Sequence, residues 1–141
     1  MYLLDTNVLS ELRKIRLGKA DAGVAAWADR VDAADLYLSV ISVQELEIGV
    51  LLAERRDAAQ GATLRAWLNT QVLPAFSGRI LAVDAAVALR SARLHVPDPR
   101  PVRDGLIAAT ALVHGLVVVT RNVADFEPTG AQTLNPWALA L

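Results

Sequence analysis

The chain has 141 residues, 54% of them hydrophobic, with 14 basic and 15 acidic side chains and a net charge of -1. That length suits one domain with a sizeable core, and the near-neutral balance excludes a global basic field for nucleic acid. The absence of cysteine excludes disulfides, thiolate metal sites and a cysteine nucleophile.

Tyr2-Leu3-Leu4 reads as a short buried strand. Asp5 follows it, and Thr6 or Asn7 can cap a short helix through Leu12. A basic turn, Arg13 to Lys19, leads to a second helix over Asp21–Asp29. The strand Leu36–Val40 enters a helix at Val43–Arg56, and a further helical stretch, Ala62–Leu73, is ended by Pro74. Strand Ile80–Val83 feeds helix Ala85–Leu94, with Asp84 as its cap. The loop Val96–Pro101 precedes a helical stretch, Gly105–Val113, which Asp104 starts and His114-Gly115 closes. Strand Val117–Thr120 follows, then a polar turn holding Asp125, then an edge strand near Thr133. This alternation predicts a single α/β domain over residues 1–141, with a mainly parallel sheet flanked by helices. The longest apolar stretch, Leu106 to Thr120, is broken by His114-Gly115 and reads as a helix end rather than a membrane span. No cationic leader with an apolar core precedes the first strand, so the cytoplasm is the expected compartment. The apolar fraction is high for a small monomer, and part of the surface is expected to meet a partner.

Four acids, Asp5, Glu45, Asp104 and Asp125, each lie where an apolar run meets a helix or turn. If the runs are parallel strands, all four face the carboxyl edge, where open α/β sheets place their ligands. Gathered like charges repel unless something neutralises them. Two divalent cations would balance four carboxylates, and hard oxygen ligands select Mg²⁺ or Mn²⁺ over zinc. The matching chemistry is metal-assisted phosphodiester hydrolysis, with the four acids as metal ligands and catalytic residues. Each acid also has a plain structural reading. Asp5 can cap the next helix, and Ser42-Val43-Gln44-Glu45 fits a capping box. Asp104 can complement a helix dipole, and Asp125 can make an Asx turn. Four separate caps would have no reason to share one edge.

Thr6, Asn7, Thr120 and Asn122 lie beside the acids and can support a metal site or simply cap. Glu47, two residues beyond Glu45, points to nearly the opposite helix face and is a poor ligand candidate. Arg13, Lys14, Arg100, Arg103 and Arg121 are candidate RNA contacts, as are Arg16 and Lys19, against the plain reading of a solvated charged face. His95 and His114 are isolated from any nucleophile pattern, and Trp27, Trp67 and Trp137 read as core or interface anchors.

Four blocks carry a family resemblance: Leu3 to Leu12 (LLDTNVLSEL), Ser39 to Leu46 (SVISVQEL), Arg103 to Thr110 (RDGLIAAT) and Val119 to Phe126 (VTRNVADF). In this order and spacing they resemble PIN-domain ribonucleases, and among those the VapC and FitB-like toxins of bacterial toxin-antitoxin pairs. The resemblance implies a compact α/β/α fold, a homodimer, and an endoribonuclease dependent on Mg²⁺ or Mn²⁺. It also implies an RNA substrate and a cognate antitoxin that blocks the site and binds operator DNA. It carries metal roles to Asp5, Glu45 and Asp104. The last block departs from a common version in which an acid stands where this chain has Asn122, leaving Asp125 to supply the fourth carboxylate or to order the turn. Two other readings remain: a catalytically silent PIN scaffold acting as a binding module, and an aspartate-based phosphotransfer domain. The second lacks both a second Asp at position 7 and a late lysine.

Overall fold

In a computed structural model, which describes residues 1–139, five strands form one wholly parallel sheet in the order β3-β2-β1-β4-β5. The strands are β1 (Tyr2–Leu4), β2 (Leu36–Ser39), β3 (Ile80–Leu81), β4 (Val117–Val119) and β5 (Thr133–Leu134). The chain moves outward from β1 to β3, then crosses to the other side of β1 for β4 and β5. That reversal puts the topological switch point between β1 and β4. Helices cover both faces, as parallel sheets require. The strands accordingly read as unbroken apolar runs: Leu4 and Val119 enter one core with Val8, Trp27 and Leu46, while Leu3 and Val118 enter the other with Ile107 and Phe126. Each fully buried large side chain there contributes about 1.5–3 kcal/mol.

The first helices are α1 (Thr6–Arg13) and α2 (Ala22–Arg30). Asp5 itself is the N-cap of α1, and Asp21 caps α2 by accepting from the Val24 N–H at 3.1 Å. Helix α3 spans Val40–Arg56, three residues longer at its start than expected. Ser39 is its cap, accepting from the Ile41 N–H at 3.0 Å, so the expected capping box at Ser42 and Glu45 is not formed.

Helix α4 (Ala58–Trp67) begins earlier than expected because Asp57 accepts from the N–H groups of Ala59 and Gln60. It runs through a π-helical segment, Leu68–Val72, into the short α5 (Leu73–Ala75). Pro74 therefore does not stop the helix. The widened turn before it takes up a missing N–H that an α-helical register would need. Helix α6 (Ala85–Leu94) is capped by Asp84, as expected. Helix α7 (Val102–His114) follows, and Gly115 ends it with a left-handed φ of 67° that favours glycine. Helix α8 (Val123–Phe126) is a single turn after β4.

Among the described residues, no helix is long and apolar enough to cross a membrane.

Candidate functional site

Asp5 leaves the carboxyl end of β1 and Thr120 that of β4, so both stand at the switch point. The Asp5 N–H donates to the Val119 carbonyl at 2.9 Å, and the Thr120 hydroxyl donates to Asp5 Oδ2 at 2.8 Å. Asp5 is only 7% exposed. Its Oδ1 accepts from the Thr6 N–H at 2.8 Å, and Asn7 Nδ2 donates to Oδ2 at 3.3 Å. The cap reading of Asp5 is therefore true and incomplete. The bond to Thr6 starts α1, while Oδ2 is held by Asn7, two residues on, and by Thr120, 115 positions away.

Glu45 comes to the same edge from the second turn of α3, where it is half-buried. Its Oε1 accepts from the Thr6 hydroxyl at 2.7 Å, and its Oε2 lies 3.7 Å from the Arg103 guanidinium. Asp104 stands in the first turn of α7, a helix whose amino end faces the carboxyl ends of the strands; its place there also complements the helix dipole. Asp125, exposed, lies in α8 just beyond β4.

Electrostatics bind the four into one group. Burial pushes the Asp5 carboxyl above its ordinary range; hydrogen bonds from Thr120 and Thr6 pull it back, and the charges of Glu45 and Asp125 push it up again. Asp104 is raised by burial first, then by Asp5, Asp125 and Glu45, with no hydrogen bond opposing the rise. Asp5 and Asp104 thus share the field of the same neighbouring carboxylates, in a region of reduced dielectric. Among the described residues, no three acids or histidines stand close enough together to enclose a metal ion as the side chains lie. The donor set itself is all carboxylate oxygen, the kind that hard cations such as Mg²⁺ or Mn²⁺ take. Ser42, one turn before Glu45 on the same side of α3, is fully buried, and its hydroxyl has no partner among the described residues. Such an orphan costs about 1–3 kcal/mol unless something outside the chain satisfies it.

The supporting residues divide. Thr6, Asn7 and Thr120 each touch a cluster carboxylate, whereas Asn122 heads α8 with no side-chain cap and donates only its backbone N–H, to Thr120 Oγ1 at 2.9 Å. Glu47 is turned away, as expected: Arg65 grips it with two bonds of 2.6 and 2.8 Å and holds its carboxyl below the usual range. The basic candidates are also unequal. Arg103 faces Glu45, and Arg121 adjoins Asn7, its backbone N–H donating to Asn7 Oδ1 at 3.4 Å. Lys14 pairs with Glu11 at 3.1 Å. Arg100 is turned into its own loop, its Nε donating to the Leu94 carbonyl.

The tryptophans hold features that sequence reasoning missed. Trp27 is a core anchor, edge-on to Tyr2 at 5.5 Å. Trp67 and Trp137 are half-buried and lie beneath guanidinium groups, Arg13 at 5.9 Å and Arg121 at 5.3 Å from the ring centres. No local pattern joins residues so far apart in the chain. Around Trp67, an apolar groove of about 230 Å³ runs between α1 and the π-helical segment, past Leu9, Leu12, Val72 and Phe76. A second groove of about 260 Å³ shares Arg13 and Trp67 with it and reaches Thr6 and Glu45.

Comparison with known proteins bears on this arrangement. The PIN domain family model matches residues 2–128. VapC ribonuclease Y4jK of Sinorhizobium fredii is 39% identical over 97% of this chain and 98% of its own length. Toxin FitB of Neisseria gonorrhoeae is 40% identical over 97% and 99% respectively. Among solved structures, FitAcB from Neisseria gonorrhoeae superposes with a TM-score of 0.88 at 38% identity, covering 99% of this chain and all of that one. FitAB bound to an IR36 DNA fragment gives 0.88 at 35%, covering 100% and 99%. A match running from the first strand to just beyond α8, with relatives aligned over nearly their whole length, leaves one assignment: the chain belongs to the PIN domain family.

Proposed function

We propose that the chain is an endoribonuclease dependent on Mg²⁺ or Mn²⁺, and the toxin of a toxin-antitoxin pair. The observation that carries this reading is the convergence of Asp5, Glu45, Asp104 and Asp125 at the switch point, where Asp5 and Asp104 are held above their ordinary range by burial and by their neighbours. The ribonuclease and toxin named among its relatives agree with it. Asp5, Glu45 and Asp104 are the metal ligands in this reading, and Asp125 supplies further negative charge from the rim. A bound Mg²⁺ or Mn²⁺ supplies a Lewis acid for activating water and stabilising the leaving oxygen. The chain's own residues prepare that site. Thr120 and Asn7 aim Asp5, Thr6 aims Glu45, and the first turn of α7 presents Asp104. Arg103 and Arg121 offer guanidinium groups to RNA phosphates at the rim. A cognate antitoxin fits the paired grooves: apolar contacts along α1 and Trp67 would hold it, and the second groove would let a basic side chain reach Glu45. A homodimer, an operator-bound assembly through the antitoxin, and a cytoplasmic location complete the proposal.

Purified protein is expected to cleave RNA in Mg²⁺ or Mn²⁺, to stop in EDTA and to recover when the metal is restored. Cleavage that persists through EDTA and dialysis would overturn the reading. Expressed alone, the chain is expected to arrest bacterial growth, with relief by the small gene encoded beside it.

Asp125 provides a finer test. Asp125→Asn is expected to lower cleavage by roughly tenfold, about 1.4 kcal/mol of transition-state stabilisation, with stability within about 0.5 kcal/mol of wild type, as for other exposed substitutions. Loss of cleavage that tracked the melting temperature would instead assign Asp125 to the turn. Asn122→Asp is expected to tighten Mn²⁺ binding, because it restores an acid beside Thr120.

A further inference from the structure

We propose that Arg103 is the internal counter-ion of the carboxylate cluster, neutralising Glu45 while no cation is bound and yielding that carboxylate when one arrives. This rests on the metal reading above and adds a role for a residue outside the ligand set. Among the described residues, Glu45 is the only one of the four acids with a cationic partner within ion-pair distance. Its two oxygens are divided. Oε1 accepts from the neutral Thr6 hydroxyl at 2.7 Å, an arrangement a cation need not disturb, while Oε2 faces Arg103 Nη1 at 3.7 Å. That second separation is too long for a good hydrogen bond and is an ion-pair contact only. The Arg103 side chain is also 51% exposed, so solvent screens the pair and the guanidinium leaves at little cost. A weak, charged and displaceable contact is what a placeholder requires, whereas a short bidentate grip such as that of Arg65 on Glu47 would compete far more strongly with a cation.

The position of Arg103 in the chain explains its reach. It precedes Asp104 in the first turn of α7, so the turn that presents a cluster acid also presents the cation that offsets the cluster. Lys cannot reproduce a planar fork, yet it keeps the charge. Once displaced, the guanidinium stays at the rim, where a phosphodiester can receive it.

The test is Mn²⁺ binding, read by electron paramagnetic resonance of the free ion, on the full-length wild type, Arg103→Gln, Arg103→Lys, Arg121→Gln and Asp104→Asn. Arg103→Gln is expected to bind Mn²⁺ about two- to fivefold more tightly, the range set by an exposed ion pair. Arg103→Lys is expected to stay near wild type, and Arg121→Gln to gain clearly less, since it removes the same charge without a contact to Glu45. In EDTA, Arg103→Gln is expected to melt below wild type, and saturating Mn²⁺ to close the gap. Equal affinity for Arg103→Gln and wild type would overturn the proposal while leaving the metal site standing. So would an equal gain in Arg121→Gln, which would mean a diffuse field rather than a displaced contact. No Mn²⁺ binding by wild type, or unchanged binding by Asp104→Asn, would overturn the metal reading and this proposal with it.

Discussion

Asp104→Asn is expected to reduce RNA cleavage by roughly a thousandfold or more, the equivalent of losing the several kcal/mol a well-held metal contributes to the transition state. The same variant should be more stable than wild type in EDTA at neutral pH. Asp104 is raised by burial and by three neighbouring acids, with no hydrogen bond opposing the rise, so an amide keeps the shape and removes the repulsion. The sign follows from linkage. A carboxyl raised in the folded state holds more protons folded than unfolded, so its ionisation costs stability as pH rises from the ordinary value of 3.8 through the folded value. The gap between variant and wild type should therefore narrow as pH falls toward that ordinary value. Saturating Mg²⁺ should reverse the order, because only wild type gains stability by binding the ion. Thermal melts in EDTA and in Mg²⁺, set beside cleavage assays, check both halves; wild-type cleavage by pure Asp104→Asn would end the assignment. Asp5→Asn should abolish cleavage equally, but it is the poorer probe of stability. Asp5 accepts from Thr6, Asn7 and Thr120, and an amide turns one of those acceptors into a donor facing donors.

Gly61→Ala is the substitution expected to damage the fold most for its size. Helices α3 and α4 form a tight hairpin about Asp57, and Gly61 is buried where they meet. A Cβ there would lie 2.5 Å from Glu54 Cα and 2.8 Å from Glu54 N, which are backbone atoms and cannot swing aside. The helices must separate, at a cost of about 1–3 kcal/mol for overpacking, or roughly 3–10 °C in Tm for a domain of this size. The Arg65 grip on Glu47 and Glu54 would loosen with them, and the groove beside Trp67 would change shape. Gly49→Ala is the control. It lies on α3 with nothing within 4 Å of the added methyl, so it should stabilise by up to about 1 kcal/mol through helix propensity alone. Equal melting temperatures for Gly61→Ala and wild type would show that α4 packs differently from the arrangement described.

Much of this was legible in the chain because it depends on local chemistry. Apolar runs separated by helical patterns dictated alternating strands and helices, and Asp84, Gly115 and the acids after each run marked where elements begin and end. The gathering of Asp5, Glu45 and Asp104 at one edge followed from a topological rule: in a parallel sheet, the loops that leave strands and the helices that precede the next strand share one end. Other features resisted reading because the deciding partner is remote. Ser39 rather than Ser42 caps α3, since both serines fit a cap locally and only the end of β2 pairing decides where the helix starts. Pro74 reads as a stop, yet the π-helical segment before it absorbs the missing N–H.

The sequence by itself determined the element order, the parallel sheet and the identity of the acids, because apolar periodicity and most element boundaries are set by neighbours along the chain. Only the tertiary structure decided how those acids are held. Thr120 reaches Asp5 across 115 positions of sequence, Thr6 reaches Glu45 across 39, and Arg103 faces Glu45 from another helix. The guanidinium groups over Trp67 and Trp137 belong to the same class. Such contacts arise when packing of two apolar cores against one sheet brings distant segments to a common edge, and no local propensity encodes them.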